Sequence, residues 1–130
     1  MEISIKLTAE ESKKFFYDAL CNGMYQMKYY DLAWVIDVNQ YNTARELVTG
    51  GEFGVCCEDV IMKMLEMGYT ISLKDLNEDG HDATIGLEDV INNVQLAPVR
   101  HLMDMINQND DADTADAIIQ SVFYKDIIFG

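Results

Sequence analysis

The chain has 130 residues, 49% apolar and 25% charged, and its 23 acids against 9 bases leave a net charge of −14. That length and apolar fraction suit one globular domain spanning residues 1–130, with a sizeable core. The charge argues against direct contact with DNA, RNA or anionic lipid, because each would be repelled. No stretch approaches the ~20 consecutive apolar residues of a membrane span.

The opening MEISIKLTAEESKK has an acid at Glu2 and no apolar run before its polar stretch, so it does not read as a signal peptide, and a cytoplasmic setting is expected. Within it, Ile3, Ile5 and Leu7 alternate with polar residues, the pattern of a strand. Thr8 and Glu11 then have the spacing of a capping box, and a helix follows to about Cys21, ended by Asn22-Gly23 and burying Phe15, Phe16, Ala19 and Leu20. The aromatic and β-branched content of MYQMKYYDLAWVID favours an extended segment over roughly 29–36.

Asp37 is placed to cap a helix through VNQYNTARELV, with Tyr41, Ala44, Leu47 and Val48 on one face and Gly50-Gly51 as its stop. GEFG is a loop. CCEDVIMKMLEMG carries a helical stripe of Val60, Met64 and Met67 flanked by Ile61 and Leu65. YTISLKDL and DATIGL then alternate in matching parity (Tyr69, Ile71, Leu73 and Ala83, Ile85, Leu87) around the turn signal NEDG, which predicts a β-hairpin over 69–87. Helices are expected over LEDVINNV, from Pro98 through PVRHLMDMINQ, and over DDADTADAIIQSVFY with Ala115, Ile118, Ile119 and Val122 buried. The final DIIFG adds a strand or folds back on the core. The sum is an α+β fold, mostly helical, with five to six helices on a small antiparallel sheet.

Several constellations carry chemistry in other proteins. Asp75, Asn77, Asp79 and Gly80 resemble the start of a calcium loop. The position that should be apolar is Asp82, however, the twelfth position is Gly86, and Glu88 comes two places late. A solvated hairpin turn fits better. His101 and Asp104, three apart on a helix, form the one nameable acid–base pair, but no nucleophile motif accompanies them. His81 with Cys56 and Cys57 matches no zinc spacing. The three cysteines, Cys21, Cys56 and Cys57, are odd in number and read as reduced, small apolar fillers. No catalytic, cofactor or metal site is therefore assigned.

Two features point to a protein partner instead. Tyr25, Tyr29, Tyr30 and Trp34 crowd into one segment, and such residues are enriched at interfaces. Charge is also lopsided: residues 1–74 hold eleven acids and seven bases, whereas residues 75–130 hold twelve acids and only Arg100 and Lys125. In NDDADTAD, Asp110, Asp111 and Asp113 fall at or before a helix start, where they cap amides and favour the dipole.

The combination of the CCEDVIMKMLEMG helix, the acidic hairpin and the PVRHLMDMINQNDDADTADAIIQSVFYKDIIFG stretch resembles small acidic proteins of unknown function from gut-bacterial genomes, phages and mobile elements. The resemblance implies a setting rather than a mechanism, since it brings no activity, cofactor or catalytic residue with it. The expected function is thus that of a non-enzymatic interaction or accessory protein of a phage or mobile element. An acidic nucleic-acid mimic that inhibits a host defence nuclease is the alternative, with a small enzyme or a calcium-binding protein behind both.

Overall fold

The computed structural model describes residues 4–49 and 54–130. Its order is α1 (Ala9–Gly23), a 3-10 helix (Met24–Tyr30), β1 (Leu32–Val35), α2 (Val38–Glu46), α3 (Cys57–Glu66), β2 (Ile71–Asp75), β3 (Ala83–Ile85), α4 (Leu87–Asn93), a 3-10 turn (Val94–Leu96), α5 (Val99–Ile106) and α6 (Ala112–Tyr124). The fold is α+β, with six helices and a three-stranded antiparallel sheet. No helix among the described residues is long and apolar enough to cross a membrane.

Local chemistry sets most boundaries. The Thr8 hydroxyl accepts from the Glu11 amide at 3.1 Å while the Glu11 carboxylate accepts from the Thr8 amide at 2.9 Å, so two orphan donors of α1 are satisfied. Asp37 starts α2 by accepting from Gln40 N, and Asp111 starts α6 by accepting from Thr114 N, both at 2.9 Å. On α2, Ala44 is buried and Tyr41 half-buried; the helix ends at Glu46, so Leu47 and Val48, expected on the same face, lie past its end, Leu47 exposed and Val48 half-buried. The expected stop at Gly50-Gly51 and most of GEFG lie outside the described residues.

β2 is the central strand. It pairs antiparallel with β1 (Leu32↔Asp75 through Val35↔Ser72) and with β3 (Ile71↔Ile85 through Leu73↔Ala83), which completes the hairpin read from the sequence. Ile71, Leu73 and Asp75 face inward, and Ser72 and Lys74 face outward beside Val35 and Thr84. α6 lies beneath the inner face, where Trp34 meets Phe123 edge-on with ring centroids 5.5 Å apart. α1 packs on α6 from another side and contributes Phe15, Phe16, Ala19 and Leu20 to the core. Phe16 is fully buried, and covering a side chain of that size contributes roughly 2–3 kcal/mol.

Two expectations need correction. The strand expected at MEISIKL begins on residues outside the description, and residues 4–7 are not a strand. Leu7 N instead donates to the Gln95 side chain at 3.2 Å, and Ile5 and Leu7 pack half-buried on the core. Alternation alone needs a partner strand, and none of the three described strands pairs with residues 4–7. The extended segment expected over 29–36 is shorter, since Met24–Tyr30 coils as a 3-10 helix and only Leu32–Val35 extends. Asp31, with φ of 56°, makes the break.

Candidate functional site

The hairpin turn is organised by one carboxylate. Asp75, 4% exposed, accepts from the amides of Asn77 (2.9 Å), Asp79 (3.0 Å) and His81 (3.2 Å), and its Oδ2 lies 3.2 Å from His81 Nδ1. Burial pushes its pKa up, but the three amides outweigh this and hold it below the usual carboxylate value. Asp82 returns the favour by accepting from Asp75 N at 2.6 Å. The acid that would head a calcium loop is therefore directed inward at its own backbone. Glu88 sits in the first turn of α4, beyond the strand, so it has left the turn altogether.

Aromatic rings connect this turn to the start of α6. Tyr124 O–H donates to the His81 carbonyl at 2.9 Å, and the His81 ring meets Phe129 at 5.1 Å between centroids. Phe129 stacks on Tyr30 at 5.0 Å, and Tyr30 O–H donates to the Asp116 carboxylate. A continuous run of contacts thus joins the hairpin turn to Asp116 of α6. Burial, and for Tyr30 also the bond to Asp116, raises the phenol pKa of Tyr30 and Tyr124 to about 12 in each case. Neither is poised to exchange a proton at neutral pH.

A cleft of about 320 Å³ opens beside this bridge, between α5, α6 and residues 127–130, lined in part by Tyr30, Arg100, His101, Asp113, Asp116 and Gln120. His101 and Asp104 are not bonded to each other. Both reach Thr114, whose hydroxyl lies 3.2 Å from His101 Nδ1 and 3.5 Å from Asp104 Oδ2. The pair thus shares a hydroxyl at its centre, which is a weaker way to orient an imidazole than a direct carboxylate bond.

Several carboxylates of the C-terminal half share a common treatment. Asp111 caps α6, Asp89 accepts from Gly86 N, Asp110 accepts from Asn22 Nδ2, and Asp116 accepts from Tyr30 and Gln120. All these donors are neutral. Among the described residues, the two lysine–carboxylate pairs both lie on α1, Lys13–Glu10 at 2.7 Å and Lys14–Asp18 at 2.8 Å. Among the described residues no acid in 75–130 is paired with a lysine or arginine, and Asp75 alone lies beside an imidazole nitrogen, that of His81 at 3.2 Å. Seven of them (Glu78, Asp79, Asp82, Glu88, Asp111, Asp113 and Asp126) are exposed.

Other expected features are dispersed. Of the aromatic cluster, Tyr25 and Tyr29 are exposed, at 52% and 66%, while Tyr30 and Trp34 are half-buried, with Trp34 Nε1 donating to Met24 O at 2.9 Å. The thiols of Cys21, Cys56 and Cys57 are exposed rather than filling the core. Cys56 precedes α3 and Cys57 begins it, outside the helix's apolar stripe, and no three His, Cys, Asp or Glu side chains converge as a metal cluster among the described residues. The residue that sequence reasoning missed is Gln120, 1% exposed and at the centre of the cleft's polar network. Its signal was a lone amide inside the otherwise apolar IIQSVF run. No protein-family model, no curated protein and no solved structure matches the chain.

Proposed function

We propose that this is a non-enzymatic interaction protein that presents the carboxylates of residues 75–130 to a basic surface on a protein partner. One observation carries the reading: Asp82, Asp89, Asp110, Asp111 and Asp116 are held by neutral donors, whereas among the described residues Glu78, Asp79, Glu88 and Asp113 project without a side-chain bond, and none of these acids is paired with a lysine or arginine. Carboxylates that are not paired with a lysine or arginine remain available to a partner, and those held by neutral donors lose little side-chain freedom on binding, which favours fast and specific association with a complementary surface. The exposed Tyr25 and Tyr29 would add apolar contact area to such an interface. The setting implied by the resemblance is a phage or mobile element in a bacterial cytoplasm, where the protein would act as an accessory factor.

A second reading narrows the partner to a nucleic-acid groove on a host defence nuclease, with the carboxylates standing in for phosphates. The scarcity of bases in residues 75–130, Arg100 and Lys125 alone against twelve acids, supports it, because a groove that binds phosphates attracts a strongly negative partner. Affinity capture from host lysate at low and high salt tests the first reading, using the full chain and a Glu78→Gln/Asp79→Asn/Asp113→Asn variant. Proteins released by salt and lost from the variant, yet retained by a Glu10→Gln control, are expected. Equal capture by all three chains would overturn it. Displacement of the captured protein by a DNA or RNA duplex would identify the mimic, and failure of either to compete would remove that narrower reading.

A further inference from the structure

The five residues after Lys125 are seated by the protein as a ligand would be. Lys125 ends α6 with φ of 62°, and between it and Ile128 the one bond made among the described residues is Asp126 accepting from Ile127 N. The next two residues are gripped through their backbone. Gln120 Oε1 accepts from Ile128 N and Phe129 N, both at 2.9 Å, and Gln120 Nε2 donates to Phe129 O at 3.2 Å. Meanwhile the Phe129 ring lies against Tyr30, His81 and Tyr124, with centroids 5.0, 5.1 and 6.0 Å away.

The receiving side is anchored by bonds that do not involve the segment. Asp116 fixes both the Tyr30 hydroxyl and the Gln120 amide, the latter at 2.8 Å. Asp75 fixes His81, and Tyr124 is tied to the His81 carbonyl. The receptor is therefore preorganised whether or not residues 126–130 are in place. Its recognition is that of an extended peptide: one amide reads main-chain N–H and C=O groups, and an aromatic recess reads one ring. The side chains of Ile127 and Ile128, 38% and 40% exposed, remain partly in solvent.

We propose that Tyr30, His81, Gln120 and Tyr124 form a docking socket for an extended aliphatic–Phe segment, and that residues 126–130 of a second copy of this chain take it in exchange for the chain's own. The occupant seen in the socket is that segment, so each exchanged socket keeps the same contacts. Exchange then costs association entropy and the repulsion of two bodies of charge −14, which the short connection from Lys125 forces close together. Residues 126–130 consequently stay on their own chain at low protein and low salt. They cross over when concentration rises and salt screens the repulsion. This salt dependence is opposite in sign to that of the basic partner proposed above, so failure of one idea leaves the other testable.

Sedimentation of the full chain from ~10 μM to ~1 mM, in low salt and in ~1 M salt, tests the exchange. A dimer that grows with both concentration and salt is expected. Closed and exchanged sockets make the same contacts, so Phe129→Ala should leave the dimerisation constant nearly unchanged, but it should speed the return to monomer on dilution about thirtyfold, because the segment must first leave its socket. A fluorescent peptide with the sequence of residues 125–130 should bind folded Phe129→Ala saturably, and wild type at least about tenfold more weakly, because the native segment competes. Phe129→Leu, which retains most of the volume but loses the ring contacts, serves for the same measurements if the alanine variant fails to fold. A wild type that stays monomeric throughout, a dimer whose rate of return to monomer is indifferent to both substitutions, or a folded variant that ignores the peptide would overturn the proposal.

Discussion

Gly23 and Ala115 meet where α1 crosses α6: a Cβ added at Gly23 would sit 2.6 Å from the Ala115 Cβ. Backbone and side chain are both close here, so α1 cannot accommodate a methyl without sliding along its main packing partner. Gly23→Ala is expected to destabilise the protein by about 1–3 kcal/mol, as overpacking does. Adding Ala115→Gly removes the clash at a helix-propensity cost of about 1 kcal/mol. The double variant should therefore be more stable than the sum of the singles, and a denaturant double-mutant cycle measures that coupling.

Protonating Asp75 should loosen the hairpin turn. Its folded pKa lies below its ordinary 3.8, so its contribution is present above about pH 4 and is lost as pH falls through the lower, folded value. Asp75→Asn replaces one acceptor oxygen with a donor facing amide N–H groups. A drop of several degrees in Tm at pH 7 is expected, with a smaller gap from wild type near pH 2. Amides of Asn77, Asp79 and His81 should lose hydrogen-exchange protection first.

The alkaline limit rests on phenols. Burial raises Tyr30 and Tyr124 to about 12 from an ordinary 10. Both favour the neutral form in the fold, so their stabilisation is complete below about pH 10 and declines as pH rises towards 12. Tyr30→Phe removes the bond to Asp116 and one of these late titrations. Ultraviolet titration at the phenolate band should show one fewer phenol ionising near 12 in that variant. Its Tm at pH 7 should fall by an amount corresponding to about 1–2 kcal/mol for the lost bond to a charged acceptor.

The cysteines should be reachable without unfolding. All three are exposed, so a thiol reagent is expected to count three in the native protein. Burial raises the thiol pKa of Cys21 and of Cys57 above the ordinary 9.0, which lowers their thiolate fraction at neutral pH. Those two should react more slowly than a model thiol at pH 7.5 and approach its rate as pH rises past 9. A native count below three would contradict the exposure.

Much of the architecture was legible because it is written in short-range patterns. The Thr8–Glu11 box, the Asp37 and Asp111 caps and the shared parity of 71–73 and 83–85 all act over a few residues, and the structure places each where the pattern puts it. Long-range pairing was not legible. Ile5 and Leu7 alternate like a strand but lie beside Gln95, 88 residues from Leu7, and nothing local encodes that neighbour. The 3-10 helix at Met24–Tyr30 was hidden because its aromatic content mimics strand composition. The candidate site was legible in its charge but not in its geometry. The twelve acids are countable, whereas their pairing with neutral donors depends on partners such as Asn22 and Tyr30, more than eighty residues away.

Gln120 reads atoms that every non-proline residue possesses, and this sets how the segment after α6 tolerates change. The amide recognises the N–H of 128 and both main-chain groups of 129, so it is blind to which side chains those positions carry. Spelling enters at position 129, where the rings demand an aromatic, and through a ban on proline at 128 or 129, which would delete a donor. Position 127, free of both constraints, can drift. The address is written mostly in main chain, with a single obligatory letter.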